Sequence, residues 1–169
     1  MLNKYIKQIK DKTIRCKVLD AVEDLPEYFW KVPASSTGKY HPRFNLGEGG
    51  LVRHTSFAVE LAIELFNITK FTDFEKDIII AALILHDGRK HGLEESKHTK
   101  KDHADIQADY LVKFWEEYFE GRNEIIACIR SHMGIWGNIK PETVLERFVH
   151  HCDYIASRKM IDNYYVDVL

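Results

Sequence analysis

Apolar residues along this chain recur at spacings of three and four, and period-two alternation is nearly absent, so the pattern predicts an all-α fold. A first helix is expected over Lys4–Val22 and a second from just after Gly50 to about Phe66. Thr72 followed by Glu75 makes a capping box, which starts the next helix at Asp73, and Gly88 is placed to end it after His86. Asp102 can cap a helix ending near Gly121, Asn123 one ending near Gly134, and Pro141 suits the first turn of the last long helix. The stretch Pro33–Gly50, rich in Ser, Thr and Gly, reads as loop. No repeat, low-complexity tract or linker divides the chain. The expectation is therefore one domain over residues 1–169, with a motif-bearing core at about 49–159 and residues 1–48 packed on it as helix and loop.

Several ionisable residues interrupt the apolar faces. His54 is followed by Ala58, Leu61 and Leu65 on one stripe, and His86 with Asp87 closes the run Asp77–Leu85, six of whose residues are Ile or Leu. His103 aligns with Ile106, Tyr110 and Phe114, His132 follows Cys128 and Ile125, and Asp153 follows Val149 by one turn. Five helices thus each bring a polar group towards the core. A buried carboxylate without a partner costs several kcal/mol, about the scale of a domain's whole stability. A divalent cation satisfies imidazole nitrogens and carboxylate oxygens together.

Composition narrows the function classes. Charged residues form 30% of the 169, yet they leave a net charge of only -2, which offers no basic surface for extended nucleic acid. The three cysteines, Cys16, Cys128 and Cys152, are odd in number and widely spaced, as free thiols of a reducing, cytoplasmic compartment would be. No apolar run reaches the ~20 residues that span a bilayer, so no membrane association is expected.

The segments Gly49-Gly-Leu-Val-Arg-His-Thr55, Leu85-His-Asp-Gly-Arg-Lys90, His103, His132 and Cys152-Asp-Tyr-Ile-Ala-Ser-Arg158 resemble, in order and element type, the H…HD…H…H…D signature of the HD-superfamily phosphohydrolases. The resemblance covers about Gly49 to Lys159. It implies a helical bundle of five or more helices and metal-dependent hydrolysis of a phosphomonoester or phosphodiester. His54, His86, Asp87 and Asp153 match the core metal ligands. His103 and His132 match the extra histidines of members holding two ions, with Asp87 bridging. Lys90 matches a lysine that contacts substrate phosphate, so Asp87 and Lys90 are the expected catalytic pair. The nucleoside-monophosphatase branch tends to carry a glutamate where Lys90 stands, which argues against a simple 5′-nucleotidase. The helix from His103 to Leu111 is similar to that of HD-type diadenosine tetraphosphate hydrolases. Gly49–Thr55 and Ser131–Gly134 are similar to the HD domain appended to some exoribonucleases.

The implied cofactor is one or two divalent ions, with Fe, Mn, Zn, Ni, Co and Mg all admissible, and the implied partner is a small phosphorylated substrate of nucleotide or dinucleotide type. Arg89, Arg158, Trp136 and His41 are further candidates for substrate contact. His98, in a hydrophilic stretch, is a rival to His103, and His150 can be a ligand or a packed helix histidine. An oligomer is possible, and the alternative functions are a nucleotide-binding sensor without turnover or a nuclease on short single-stranded ends.

Overall fold

The computed structural model describes residues 1–162, which contain seven α-helices and no strand. They are α1 (Asn3–Ile6), α2 (Lys12–Glu23), α3 (Gly50–Leu65), α4 (Asp73–Leu85), α5 (His103–Phe114), α6 (Arg122–Ser131) and α7 (Val144–Ala156). Ile78 to Leu85 is apolar on every side, so α4 has no face to offer water and becomes the centre of the fold. Helices α2, α3, α6 and α7 pack around it, and α5 lies on α6. The α4 start is the expected capping box: the Glu75 N–H donates to Thr72 Oγ1 at 3.2 Å, and the Thr72 N–H donates to Glu75 Oε2 at 2.8 Å. No described helix is long and apolar enough to cross a membrane.

The expected first helix is broken in two, for a reason that lies on α4. The buried Asp77 carboxylate accepts the Lys10 N–H at 2.9 Å and the Asp11 N–H at 2.7 Å. Asp11 in turn caps α2 by accepting the Ile14 N–H at 2.8 Å. Two backbone donors are thereby drawn out of the helical ladder into a tertiary contact that periodicity does not register.

Three other boundaries move. Asp102 makes no side-chain cap, and α5 ends at Phe114, where Trp115 turns into the core and donates its indole N–H to the Lys17 carbonyl at 3.3 Å. Helix α6 starts from Gly121, not Asn123, because the chain enters it through a left-handed turn at φ 88°. Helix α7 starts after Thr143, whose hydroxyl accepts the Glu146 N–H at 3.2 Å, with the Glu146 carboxylate taking the Glu142 N–H at 2.9 Å. This threonine cap overrides the Pro141 signal. The buried stripe of α5 is also rotated from the expected one: it runs through His103, Ala104, Gln107, Ala108 and Leu111. Its alanines allow close approach to α6, leaving Ile106, Tyr110 and Phe114 half-buried at the edge.

Cys128 and Cys152 are buried and Cys16 is exposed, all as free thiols. Burial pushes the thiols of Cys128 and Cys152 up to about 12, so neither supplies thiolate at neutral pH. In the native protein at pH 8, a disulfide reagent should therefore modify Cys16 alone, and all three only after denaturation; rapid native reaction of a second thiol would contradict this packing. Asp77→Ala should lower the unfolding free energy by about 1–3 kcal/mol, since two backbone donors lose their acceptor. A urea midpoint unchanged from wild type, at equal slope, would show that the cap contributes nothing.

Candidate metal centre

The polar side chains of five helical segments meet at one end of α4. His86 and Asp87 sit in the turn that follows the helix, where Gly88 permits a close approach: a Cβ there would lie 2.7 Å from Leu25 and 2.8 Å from Gln107. His54 comes from the first turns of α3, His103 opens α5, His132 ends α6, and Asp153 comes from the last turns of α7. The four histidines and Asp87 are buried, and Asp153 retains 15% exposure of its side chain.

Backbone carbonyls settle the protonation pattern of three of the rings. Nδ1 of His86 lies 2.7 Å from the Leu83 carbonyl, Nδ1 of His103 2.7 Å from that of Lys100, and Nδ1 of His132 2.6 Å from that of Ile129. A carbonyl only accepts, so each Nδ1 must carry a hydrogen, and in the neutral ring each Nε2 must present a lone pair. Those lone pairs point inward. His103 Nε2 and His132 Nε2 are 3.2 Å apart, and burial with neighbouring positive groups pushes His132 down to about 3, so His132 does not protonate to relieve the contact. Two Nε2 atoms this close, with Asp87 Oδ1 3.0 Å from His103 Nε2, can share a cation.

The remaining donors surround the same place. His54 Nε2 is 3.0 Å from Asp153 Oδ1 and 3.7 Å from Asp87 Oδ2. His86 Nε2 is 3.4 Å from Asp87 Oδ2 and 3.5 Å from Asp153 Oδ1. On the other side, Asp87 Oδ1 is 3.0 Å from His103 Nε2 and 3.7 Å from His132 Nε2. Bonds of ~2.0–2.2 Å to a central ion place neighbouring ligands about 3.0–3.6 Å apart in tetrahedral or octahedral geometry. The donor set therefore fits a divalent ion in chemistry and in spacing. These buried groups can hold a metal ion, in the overlapping sets His54–His86–Asp87, His86–His132–Asp153 and Asp87–His103–His132.

Charge in the protein alone is balanced by protons and by one lysine. Burial opposes ionisation of Asp87, but Lys90, with Nζ 2.5 Å from Oδ2, and His86 outweigh it and hold the carboxyl well below its usual range. Asp153 is likewise held low against its own burial by His54 and His86. Burial disfavours the His86 imidazolium, yet the two carboxylates lift it to about 10. His54 is pushed down, chiefly by burial.

The cluster forms the floor of a cavity of about 390 Å³. Lys90, Arg158, Trp136 and His41, all expected at the substrate, line it. The His41 ring packs edge-on against His54 with centroids 4.9 Å apart, and burial pushes it down to about 2, so it is a neutral group there. Arg89, also expected at the substrate, is not brought to the cavity. Its guanidinium pairs with Asp24 at 2.6 Å, reaches Gln107 at 3.3 Å and lies 3.2 Å from the Tyr110 ring centroid, bracing the turn from behind. His98 is exposed and belongs to none of the ligand sets. His150 donates Nδ1–H to the His132 carbonyl at 2.6 Å, so it is a packed helix histidine that braces the end of α6, and it belongs to none of the candidate metal-holding sets.

Sequence reasoning missed Arg53, which precedes His54 and so leaves α3 in another direction. Its guanidinium donates to the carbonyls of Phe44, Leu46 and Glu48 at 2.5, 2.9 and 2.7 Å, tying the mouth loop to the helix that carries His54. It also missed Tyr154, which stacks on Trp136 at 5.6 Å with planes 7° apart. No protein-family model, curated protein or solved structure matches this chain.

Metal binding should be visible in stability. Zn²⁺ or Mn²⁺ at a hundred times its Kd should raise the unfolding free energy by about 2.7 kcal/mol, and chelator should reverse it. Asp87→Asn should lose this increment. Identical melting of chelated and metal-supplemented wild type would refute the site.

Proposed function

We propose that this protein is a metal-dependent phosphohydrolase that cleaves a phosphate ester of a nucleotide-like substrate. The observation that supports the reading most is the division of Asp87: Oδ2 faces His54 and His86, while Oδ1 faces His103 and His132. Asp87 with His54 and His86 on one side, and with His103 and His132 on the other, would hold up to two ions, which would supply the charge that in-line displacement at phosphorus needs. When bound, such ions supply Lewis acidity towards the phosphoryl oxygens and a nucleophilic water at neutral pH.

The chain's own groups do the rest. Lys90 lines the cavity at its floor, and its ammonium can neutralise a phosphoryl oxygen as negative charge builds in the transition state. Its bond to Asp87 keeps the ammonium at the floor before substrate arrives. The Nδ1–H bonds to backbone hold three imidazoles in one tautomer and one orientation, so no reorganisation is required during the reaction. His41, held neutral by burial, lines the cavity from the mouth side. Exposed ring surface on Tyr40 and Trp136 gives an aromatic group somewhere to stack.

Elemental analysis of the protein should find up to two transition-metal ions per chain, with His103→Ala plus His132→Ala removing one and Asp87→Asn removing both. The metal-loaded protein should release phosphate or a nucleotide from a panel of nucleotide and phosphodiester substrates. Lys90→Ala should reduce kcat by about 10²–10³, the scale for losing one transition-state donor. Absence of turnover with every metal and substrate in the panel would refute the enzymatic reading, and unchanged kcat in Lys90→Ala would remove its assigned role.

A further inference from the structure

Away from the metal ligands, the same cavity holds a second cation in an unusual setting. Arg158 lies just beyond the end of α7, five residues after Asp153, which is more than a helical turn of ~5.4 Å further along the chain direction. Its guanidinium is held on one edge: Nε and Nη2 donate to Ser157 Oγ at 3.1 and 2.8 Å. One face lies 4.3 Å from the Tyr154 ring centroid, and the Tyr40 ring is 6.0 Å away. Among the described residues no carboxylate pairs with it, whereas Lys90, the other cation in the cavity wall, is already bonded to Asp87.

A guanidinium has five N–H donors, and two of these go to Ser157. Among the described residues the others have no acceptor, and the group is kept in place by stacking and by a hydroxyl, neither of which cancels its charge. The planar fork of an oriented, unneutralised guanidinium in a concave site can donate to two oxygens of one phosphate. Thr37, from the mouth loop, adds a hydroxyl to the same wall.

We infer that Arg158, Tyr40 and Tyr154 form an anion subsite for a second phosphate of the substrate, distinct from the phosphate attacked at the metal centre. The inference rests on the phosphohydrolase reading for the identity of the inner site. The substrate class it selects is a nucleoside compound with two phosphates, one at the metal centre and one at the mouth. A nucleotide with a single phosphate fills only the inner half. Arg158 acts in this scheme by binding, so its contribution falls in KM rather than in kcat.

The probes are adenosine 5′-monophosphate, adenosine 3′,5′-bisphosphate, with its second phosphate across the sugar, and adenosine 5′-diphosphate, with its second phosphate contiguous. Each is compared in wild type, Arg158→Gln and Arg158→Lys. In wild type, kcat/KM for at least one of the doubly phosphorylated compounds should exceed that for the monophosphate by tenfold or more, carried in KM. Arg158→Gln should bring that ratio close to one, and Arg158→Lys should restore part of it by keeping the charge while losing the planar fork. Which of the two compounds shows the preference identifies the spacing between the phosphates. If no probe is hydrolysed, the phosphohydrolase reading fails, and calorimetric affinities of the same compounds decide the subsite by the same tenfold criterion and the same dependence on Arg158. A wild-type ratio near one, or a preference that survives in Arg158→Gln, overturns the inference.

Discussion

The geometry of the centre depends on hydrogen bonds that never touch the cavity. His86, His103 and His132 each give their Nδ1 hydrogen to a carbonyl three residues earlier in their own chain segment. A local bond of that type is decided by the helix end on which the ring sits, and it fixes which nitrogen faces the centre. Three separate helix ends therefore aim three Nε2 atoms at one largely buried point, where each can give a lone pair to a cation once it carries no hydrogen. Removing the backbone acceptors would let the rings turn or take the other tautomer, and the cluster would lose its attraction for a cation.

A second constraint is electrical. Two ionised carboxylates in a buried site demand compensation, and the chain provides it through Lys90 and a protonated His86. That arrangement allows the protein to fold with the centre's carboxylates already ionised. A metal ion entering the site has to compete with one ammonium and one proton, so proton release accompanies its binding.

Much of this was readable from the amino-acid order. The inward positions of His54, His86, Asp87, His103, His132 and Asp153 followed from their placement on apolar faces, because burial of a helix stripe is a local, periodic property. The capping box at Thr72 was readable for the same reason. What escaped was non-local: the Asp77 carboxylate that interrupts the first helix, and the rotation of α5 that swaps Ile106 and Tyr110 for Ala104 and Gln107. Arg89 was misplaced because neighbours in sequence around a turn point in opposite directions, and its partner Asp24 lies on a distant segment. Small residues and long-range ion pairs carry no periodic signal, so only the assembled helices reveal them.

The position of His86 and Asp87 at the end of α4 has a wider consequence. The helix that fills the centre of the molecule is also the stem that carries two of the groups able to hold an ion, so the core and the candidate centre share one element. A change of packing volume deep in α4 therefore bears on the spacing of those groups as well as on stability. Residues 34–37, 40 and 41 line the cavity from outside that stem, so its walls can vary while the interior stays put.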